Sequence, residues 1–471
     1  MAVTIAQSPL STVGFSPIPI GQQIIFSVSE NLTVANNFKV KFIAEVHISN
    51  TAINLSNSND LIGTFKTTPN NAGVGIFDLR PVLETFVKSD NEGSTFGNGS
   101  RYKQSSSIPV AQAVPHPLHL INEFAVSENA VRYMAIQFKV EWAETAGGDI
   151  ESGLAVDSDQ YIFFNGVLQY DDVLTLDKGN YGFNLFASTR NFFLADTGKF
   201  LSNAPSTQYA RLTDYGTLPF LNFLPTAADK VTGIVLTYYW DGGSSTETVN
   251  QTWTNGGVTN FGSRVVQHLL YFGAFPGNLQ NWSTTFASAI TSGLTHYTIQ
   301  ANSDIGTTSQ MTTINIICPN ERGYEGIRLT WLNQWGVWDY YTFNMKSTRA
   351  IATKRIPYTQ LGGTWNDSTF KISGYKGGKK NFRVNSTEKI KLNTDFVSEE
   401  EGVWFEELIN SPEVYIVNGF SADAANTITN KYIDPVTLTT SSYVKKTIAN
   451  DKLMQYTIEI EKSKMKRTQA V

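Results

Sequence analysis

Alternating apolar and polar side chains run through much of the chain. Between residues 38 and 48, Phe38, Val40, Phe42, Ala44, Val46 and Ile48 share one side, while Lys39, Lys41, Glu45 and His47 share the other. A period of two belongs to a strand with one face in a core. The same period returns at Met134, Ile136, Phe138, Val140 and Trp142, set against Gln137, Lys139 and Glu141. Turn residues join such runs. Asn165-Gly166 separates residues 161–164 from 167–170 and suits a two-residue turn with positive φ at both positions, so it predicts a hairpin. Asp241-Gly242-Gly243 after residues 234–240 predicts a second hairpin, and Gly336 predicts a third between 327–333 and 340–346.

Helical spacing is rare. After Asp78, the positions Val82, Leu83, Phe86 and Val87 predict one short helix. A better signal lies at 398–409. Ser398 and Glu401 form a capping box, and Glu399, Glu400 and Glu401 suit the positive end of a helix. Trp404 and Leu408 make its apolar stripe, and Ser411-Pro412 stops it. The expected fold class is therefore all-β, with several β-sandwich or barrel-like domains, one or two short helices and an extended N-terminal arm. The expected division is an arm over 1–29 and a β-sandwich region over 30–215 that contains a long loop at 89–130. A second β domain follows over 216–346, then a C-terminal β domain over 347–471 carrying the helix.

Composition narrows this further. Of 471 residues, 41% are hydrophobic and 12% aromatic, which excludes a chain that stays disordered for want of apolar area. Only 16% are charged, against about 25% in ordinary soluble domains, and uncharged polar residues fill the surface instead. The single cysteine, Cys318, excludes an intramolecular disulfide, and its place at the end of an apolar run predicts a small buried hydrophobe. A net charge of −5 gives no global basis for binding nucleic acid. The charge is uneven, however. From residue 345 onward there are 19 basic and 14 acidic residues, which leaves 17 and 27 before that point.

The first charged residue is Glu30, so residues 1–29 lack the positive segment of a secretory signal. Pro9, Pro17 and Pro19 exclude a helix there. Residues 22–28 are expected to form a local edge strand. Residues 1–16 are expected to cross to a neighbouring subunit, with Leu10, Val13 and Phe15 as contact residues.

Candidate chemistry is sparse. No Gly-x-Ser-x-Gly, Walker loop or dinucleotide fingerprint occurs. Lys376-Gly377-Gly378-Lys379-Lys380 lacks the following Ser or Thr of a phosphate cradle and reads as an exposed hairpin tip. His116 and His119 have a spacing a metal could use, but only Glu123 is a nearby carboxylate and the stretch is Pro-rich. Asp157 with Asp159, and Asp171 with Asp172, are carboxylate pairs of the kind glycoside hydrolysis or calcium binding requires, and also of the kind that decorates loops. Trp331, Trp335 and Trp338 around one hairpin could stack on sugar rings. The alternation of Trp331 with Ile327 and Leu329 favours packing, and Trp335 and Trp338 are candidate subunit contacts. The expectation is no catalytic residue, no cofactor and no metal.

Residues 318–343 then resemble a pattern in virion structural proteins of tailed bacteriophages. Cys318 precedes a strand ending in Leu332-Asn333, Gly336 makes the turn, and Asp339-Tyr340-Tyr341-Thr342-Phe343 follows. Phe15-Ser16-Pro17, residues 75–83, residues 392–415 and residues 451–458 are similar to the same group. The resemblance implies a non-enzymatic structural subunit of a tail or tail-ring or baseplate. It implies a closed homo-oligomer with other tail and virion proteins as partners, located in the virion and assembled in the host cytoplasm. Neither membrane insertion nor specific nucleic-acid binding is expected. Two rival readings are a receptor- or glycan-binding tail protein and a glycan depolymerase.

Overall fold

The computed structural model describes residues 3–9, 18–50, 53–56, 58–89, 102–103, 118, 123–127, 129–169, 198–221, 231–250, 269–303, 306, 308–317, 323–365, 368–372, 374–420, 431–444 and 454–467. The chain is all-β, with several sheets and a few short helices. It forms two compact units. Unit 1 takes Met1–Ile317, Leu332–Asp339 and Gly419–Lys431, and unit 2 takes Cys318–Trp331, Tyr340–Asn418 and Tyr432–Val471. The break expected at 215/216 is thus absent, because ladders cross it. Thr207–Ala210 pairs in parallel with Thr312–Ile316, and Phe124–Val126 pairs with Leu269–Phe272.

Unit 1 begins as a sandwich. Phe38–Ser49 and Val131–Ala143 form the predicted central pair, flanked by Leu61–Thr67 on one side and Tyr161–Phe164 on the other. Phe42, Ala44, Val46 and Ile48 turn into a core shared with Met134, Ile136, Phe138 and Val140. On the other face Lys139 pairs with Glu45 at 2.8 Å. A second sheet, Thr4–Gln7, Ile25–Ser29 and Val74–Asp78, supplies Phe26 and Phe77, whose rings each lie 5.8 Å from Phe138. The predicted helix after Asp78 is Arg80–Phe86, with Leu83 buried in the same core.

The N-terminal segment departs from its expected fate in part. Val3 is buried, Thr4 and Ile5 pair with Ser29 and Val28, and Ile18–Pro19 joins the larger sheet beside Phe163 and Phe164. Residues 3–7 therefore lie on their own unit and do not cross to a neighbour. Pairing with Ile25–Ser29 satisfies the backbone groups of this uncharged strand within the chain. Residues 22–28 hold a strand at Ile25–Ser29, but it sits in the middle of its sheet. Leu10, Val13 and Phe15 lie outside the described residues.

The rest of unit 1 holds a five-stranded sheet. Its hairpin Val231–Trp240 and Gly243–Asn250 turns at Asp241-Gly242 as predicted, with Gly242 at φ 82°. The helix Thr284–Thr291 covers this sheet, and Phe286 packs against Tyr238 and Tyr297. A four-stranded sheet includes Leu218–Leu221 and Leu269–Phe272. Among the described residues no hairpin forms at Asn165-Gly166. The chain leaving Phe164 meets the turn at residues 333–337 instead: Val167 N donates to Gln334 O at 2.7 Å.

Unit 2 is built on a seven-stranded sheet that ends, on one side, in Gly378–Asn393 and Thr348–Gln360. The predicted capping box is present, and the helix Glu399–Asn410 stops at Ser411. Its Trp404 and Phe405 are buried, Trp404 lying 4.8 Å from Trp331 and Phe405 lying 4.8 Å from Tyr341.

Candidate functional site: an exposed basic ribbon

Among the residues singled out by sequence, the structure describes Trp331, Trp335, Trp338, Asp157 and Asp159. Trp335 and Trp338 are 1% and 0% exposed, so neither ring is available to another subunit, and that expectation is corrected. Trp335 Nε1 donates to Asn203 Oδ1 at 3.3 Å, and Asn333 Nδ2 donates to Leu201 O at 3.0 Å. Burial of an indole with its N–H satisfied removes the most apolar area at the least polar cost. Asp157 and Asp159 are both exposed, and Asp157 Oδ1 accepts from Gln137 Nε2 at 2.9 Å. Cys318, His116, His119, Asp171 and Asp172 fall outside the described residues. Among the described residues no group of three His, Cys, Asp or Glu is placed to hold a metal.

One buried polar cluster was not visible in the sequence. Tyr238 OH donates to Glu247, and Ser283 Oγ donates to Glu247 Oε1 at 2.6 Å while accepting from Phe286 N at 2.9 Å. Burial and the adjacent Glu247 charge push the Tyr238 hydroxyl far above the usual tyrosine range. The group therefore stays a donor. Its effect is to anchor the start of helix Thr284–Thr291 on the sheet.

The feature that stands apart is the long hairpin of unit 2. Thr348–Gln360 pairs with Gly378–Asn393 from Thr348↔Lys391 to Gln360↔Gly378, with a bulge at Ile356/Pro357. Only Lys389–Asn393 pairs onward, with the strand Thr457–Lys462. Outside that stretch the described residues give the ribbon a single further bridge, Ser386↔Lys466. Its outer nine or so residues per strand span about 30 Å at about 3.3 Å each.

This ribbon is basic. Residues 348–393 hold ten Lys and Arg against Asp367 and Glu388, leaving 26 basic and 39 acidic residues elsewhere. Residues opposite one another in an antiparallel pair share a face. Lys354 opposite Asn385, Ile356 opposite Arg383, and Tyr358 opposite Lys380 thus form one face with three cations and no carboxylate. Among the described residues Lys354, Lys379, Lys380 and Arg383 have no ion pair. Near the tip Trp365 and Phe370 are exposed with rings 5.2 Å apart, and Tyr375 is 75% exposed. A charge excess after residue 345 is legible in the sequence, and the Lys376–Lys380 stretch reads as a hairpin tip. What is not legible is that residues 348–359 and 378–382 stay exposed while residues 383–387 are half-buried.

The root is held by charge. Glu388 Oε1 accepts from Arg349 Nη1 at 3.3 Å, and Oε2 accepts from Lys466 Nζ at 3.2 Å with Lys462 Nζ at 3.8 Å. Arg349 also pairs with Glu325 at 2.8 Å. Burial raises the Glu388 pKa, but the Lys466 hydrogen bond and the charges of Lys462, Lys466 and Arg349 outweigh it, so the carboxyl sits below the usual glutamate range. The ribbon leaves the sheet at a clamped base.

A free two-stranded ribbon is marginally stable alone, and its exposed apolar and cationic groups suit a partner surface. Pro357, the bulge beside it and Lys354-Arg355 disfavour the addition of a further strand to the outer edge. The ribbon's side-chain faces, not its outer edge, are therefore the surfaces open to contact.

Comparison with known proteins adds little. No family model matches the chain, and no curated protein matches it. Among solved structures, fibronectin(III)-like modules of Clostridium thermocellum CbhA align at 12% identity over 69% of this chain and 97% of that one, with a TM-score of 0.13. Escherichia coli alpha-2-macroglobulin in its native conformation aligns at 8% identity over 82% of this chain, with a TM-score of 0.18. This chain spans about a fifth of that protein, 21% of its length. Superpositions this loose carry no conclusion about fold family or activity.

Proposed function

We propose that this chain is a non-enzymatic structural subunit of a tailed-phage virion, a tail, tail-ring or baseplate component that works as a closed homo-oligomer. The observation that carries the reading is the ribbon Thr348–Gln360 and Gly378–Asn393, which leaves its sheet with its outer part exposed. An element of that kind lowers its free energy when another surface covers it. The resemblance of residues 318–343 and 392–415 to virion proteins supports the same assignment. On this reading the mechanism is geometric: identical contacts repeat around an axis until the ring closes. The partners are further copies and other tail proteins, and the place of action is the virion. Among the described residues no helix is long and apolar enough to cross a membrane.

Size-exclusion chromatography with mass detection, followed by electron microscopy of the leading peak, tests the proposal. A discrete multiple of the chain mass with ring-shaped particles is the expected result. A second reading, glycan binding, is favoured by exposed Trp365, Phe370 and Tyr375 near the ribbon tip, since aromatic faces stack on sugars. A monomer that binds host glycans and loses that binding on Trp365→Ala would replace the first reading with the second.

A further inference from the structure

The basic face of the ribbon holds one cluster with a defined geometry. Lys354 lies opposite Asn385 on one side, and the antiparallel bridge Ser386↔Lys466 sets Arg467 opposite Asn385 on the other. Residues opposite one another share a face, so Lys354, Asn385 and Arg467 stand abreast. Arg383, two positions along the same strand, points the same way. The side chains agree with this register: Asn385 Oδ1 accepts from Arg383 Nε at 3.0 Å and from Arg467 Nε at 2.8 Å. One amide oxygen thus gathers two guanidinium groups, their Nε atoms within about 6 Å of each other.

The cluster lacks a counter-charge. Among the described residues Lys354, Arg383 and Arg467 are in no ion pair, and the Nη atoms of both arginines have no partner. Carboxylates on the same sheet are engaged elsewhere. Glu388 lies on the opposite face with Arg349, Lys462 and Lys466, while Glu459 and Glu461 pair with Lys391 and Lys389. Cations this close repel one another, and a neutral amide removes none of that charge. A bound anion does.

We propose that Arg383, Arg467 and Lys354 form a binding site for a phosphate monoester, with Asn385 holding the two guanidinium groups in place. Guanidinium forks match the oxygens of a tetrahedral oxyanion two at a time, and an ammonium adds a point charge. Three cations suit a phosphate monoester, which carries about −1.5 to −2 at neutral pH, better than the single charge of a carboxylate or a phosphodiester. Lys354 and Arg467 stand two ladder spacings apart, about 10 Å between backbones, a width that suits one small anion above Asn385. Every residue of the site belongs to one chain, so it is independent of the oligomeric reading. Arg355 supplies the contrast on the other face: its Nη1 donates to Thr353 Oγ1 at 3.0 Å, and no second guanidinium joins it.

Titration calorimetry of the full chain with inorganic phosphate and with phenyl phosphate tests the site, while circular dichroism reads folding. Saturable binding of both is expected, weakening as salt rises. Arg383→Gln with Arg467→Gln should weaken it by about tenfold or more. Arg355→Gln with Lys379→Gln removes the same charge from the opposite face and should change it by less than about twofold. Asn385→Ala leaves the charge unchanged and should still weaken binding by about threefold or more, because the forks lose their hold. That variant also keeps the comparison available if the loss of two arginines lowers stability. Equal weakening in both double variants, or no saturable binding by the wild-type chain, overturns the site. An oligonucleotide without terminal phosphates is the diester probe, and binding of it without phenyl phosphate overturns the monoester assignment in favour of a nucleic-acid backbone. Vesicles containing phosphatidic acid separate the sources of a monoester. Vesicle binding lost with Arg383 and Arg467 supports the site with its phosphate on a lipid, and phenyl phosphate binding without vesicle binding supports it with a soluble ester.

Discussion

Two glycines with the same backbone hand separate the effect of strain from that of docking. Gly336 has φ 70° and Gly242 has φ 82°, both in the left-handed region. An alanine Cβ at Gly242 meets nothing within 4 Å, whereas at Gly336 it would lie 1.6 Å from Asn165 O. Strain alone costs about 1–2 kcal/mol at either position. At Gly336 the neighbouring chain must also retreat by nearly 2 Å to reach ordinary contact at 3.4 Å. That retreat breaks the 2.7 Å bond from Val167 N to Gln334 O, and a lost hydrogen bond of this kind costs about 0.5–1.5 kcal/mol. Loosening around Trp335, which is 1% exposed, adds about 1–2 kcal/mol. Gly336→Ala should thus destabilise unit 1 by about 3–5 kcal/mol, and Gly242→Ala by about 1–2 kcal/mol. Urea unfolding followed by tryptophan fluorescence and circular dichroism measures both. If the two variants differ by less than about 1 kcal/mol, the turn at 333–337 is not docked against residues 165–167 as described.

Other expectations concern the helix, the ribbon root and the N-terminus. Trp404→Ala should lower stability by about 3–5 kcal/mol through the cavity beside Trp331, while Ser398→Ala should lose about 1 kcal/mol with the cap, both read by chemical denaturation. Because the folded pKa of Glu388 lies below its unfolded value, its contribution is complete above the usual glutamate range and fades as pH falls through the depressed folded value. Glu388→Gln should remove that acid-side sensitivity, which thermal melts on either side of the glutamate range would reveal; an unchanged pH profile would count against the clamp. Deleting residues 2–9 should destabilise unit 1, since it removes buried Val3 and bares one side of strand Ile25–Ser29. A deletion that melts like the full chain would return this segment to the role of a crossing arm.

Local pattern determined a good deal by itself. The alternation at residues 42–48 and 134–142, the turn at Asp241-Gly242, and the capping box at Ser398 and Glu401 all lie where sequence placed them, whereas Phe38, expected on the core face, is exposed beyond a register break at Phe38/Lys41. Each depends on side chains only a few positions apart, so periodicity and cap chemistry suffice to specify it. Asn165-Gly166 shows where that reasoning stops. The dipeptide permits a tight turn, but here the ladders to Ile18–Pro19 and to the 333–337 turn claim the same backbone groups. Trp335 and Trp338 make the same point for burial: an aromatic cluster is legible along the chain, but its exposure depends on Leu201, Asn203 and other remote residues. The ribbon gives the opposite case. Its cations were countable in the sequence, yet whether they face solvent or cover a neighbouring strand depends on which ladder Gly378–Asn393 joins and where that ladder ends. Composition and period thus determined a β-rich chain with uneven charge. Long-range strand pairing decided which of its charges and rings stay at the surface, because burial depends on neighbours brought together from distant parts of the chain.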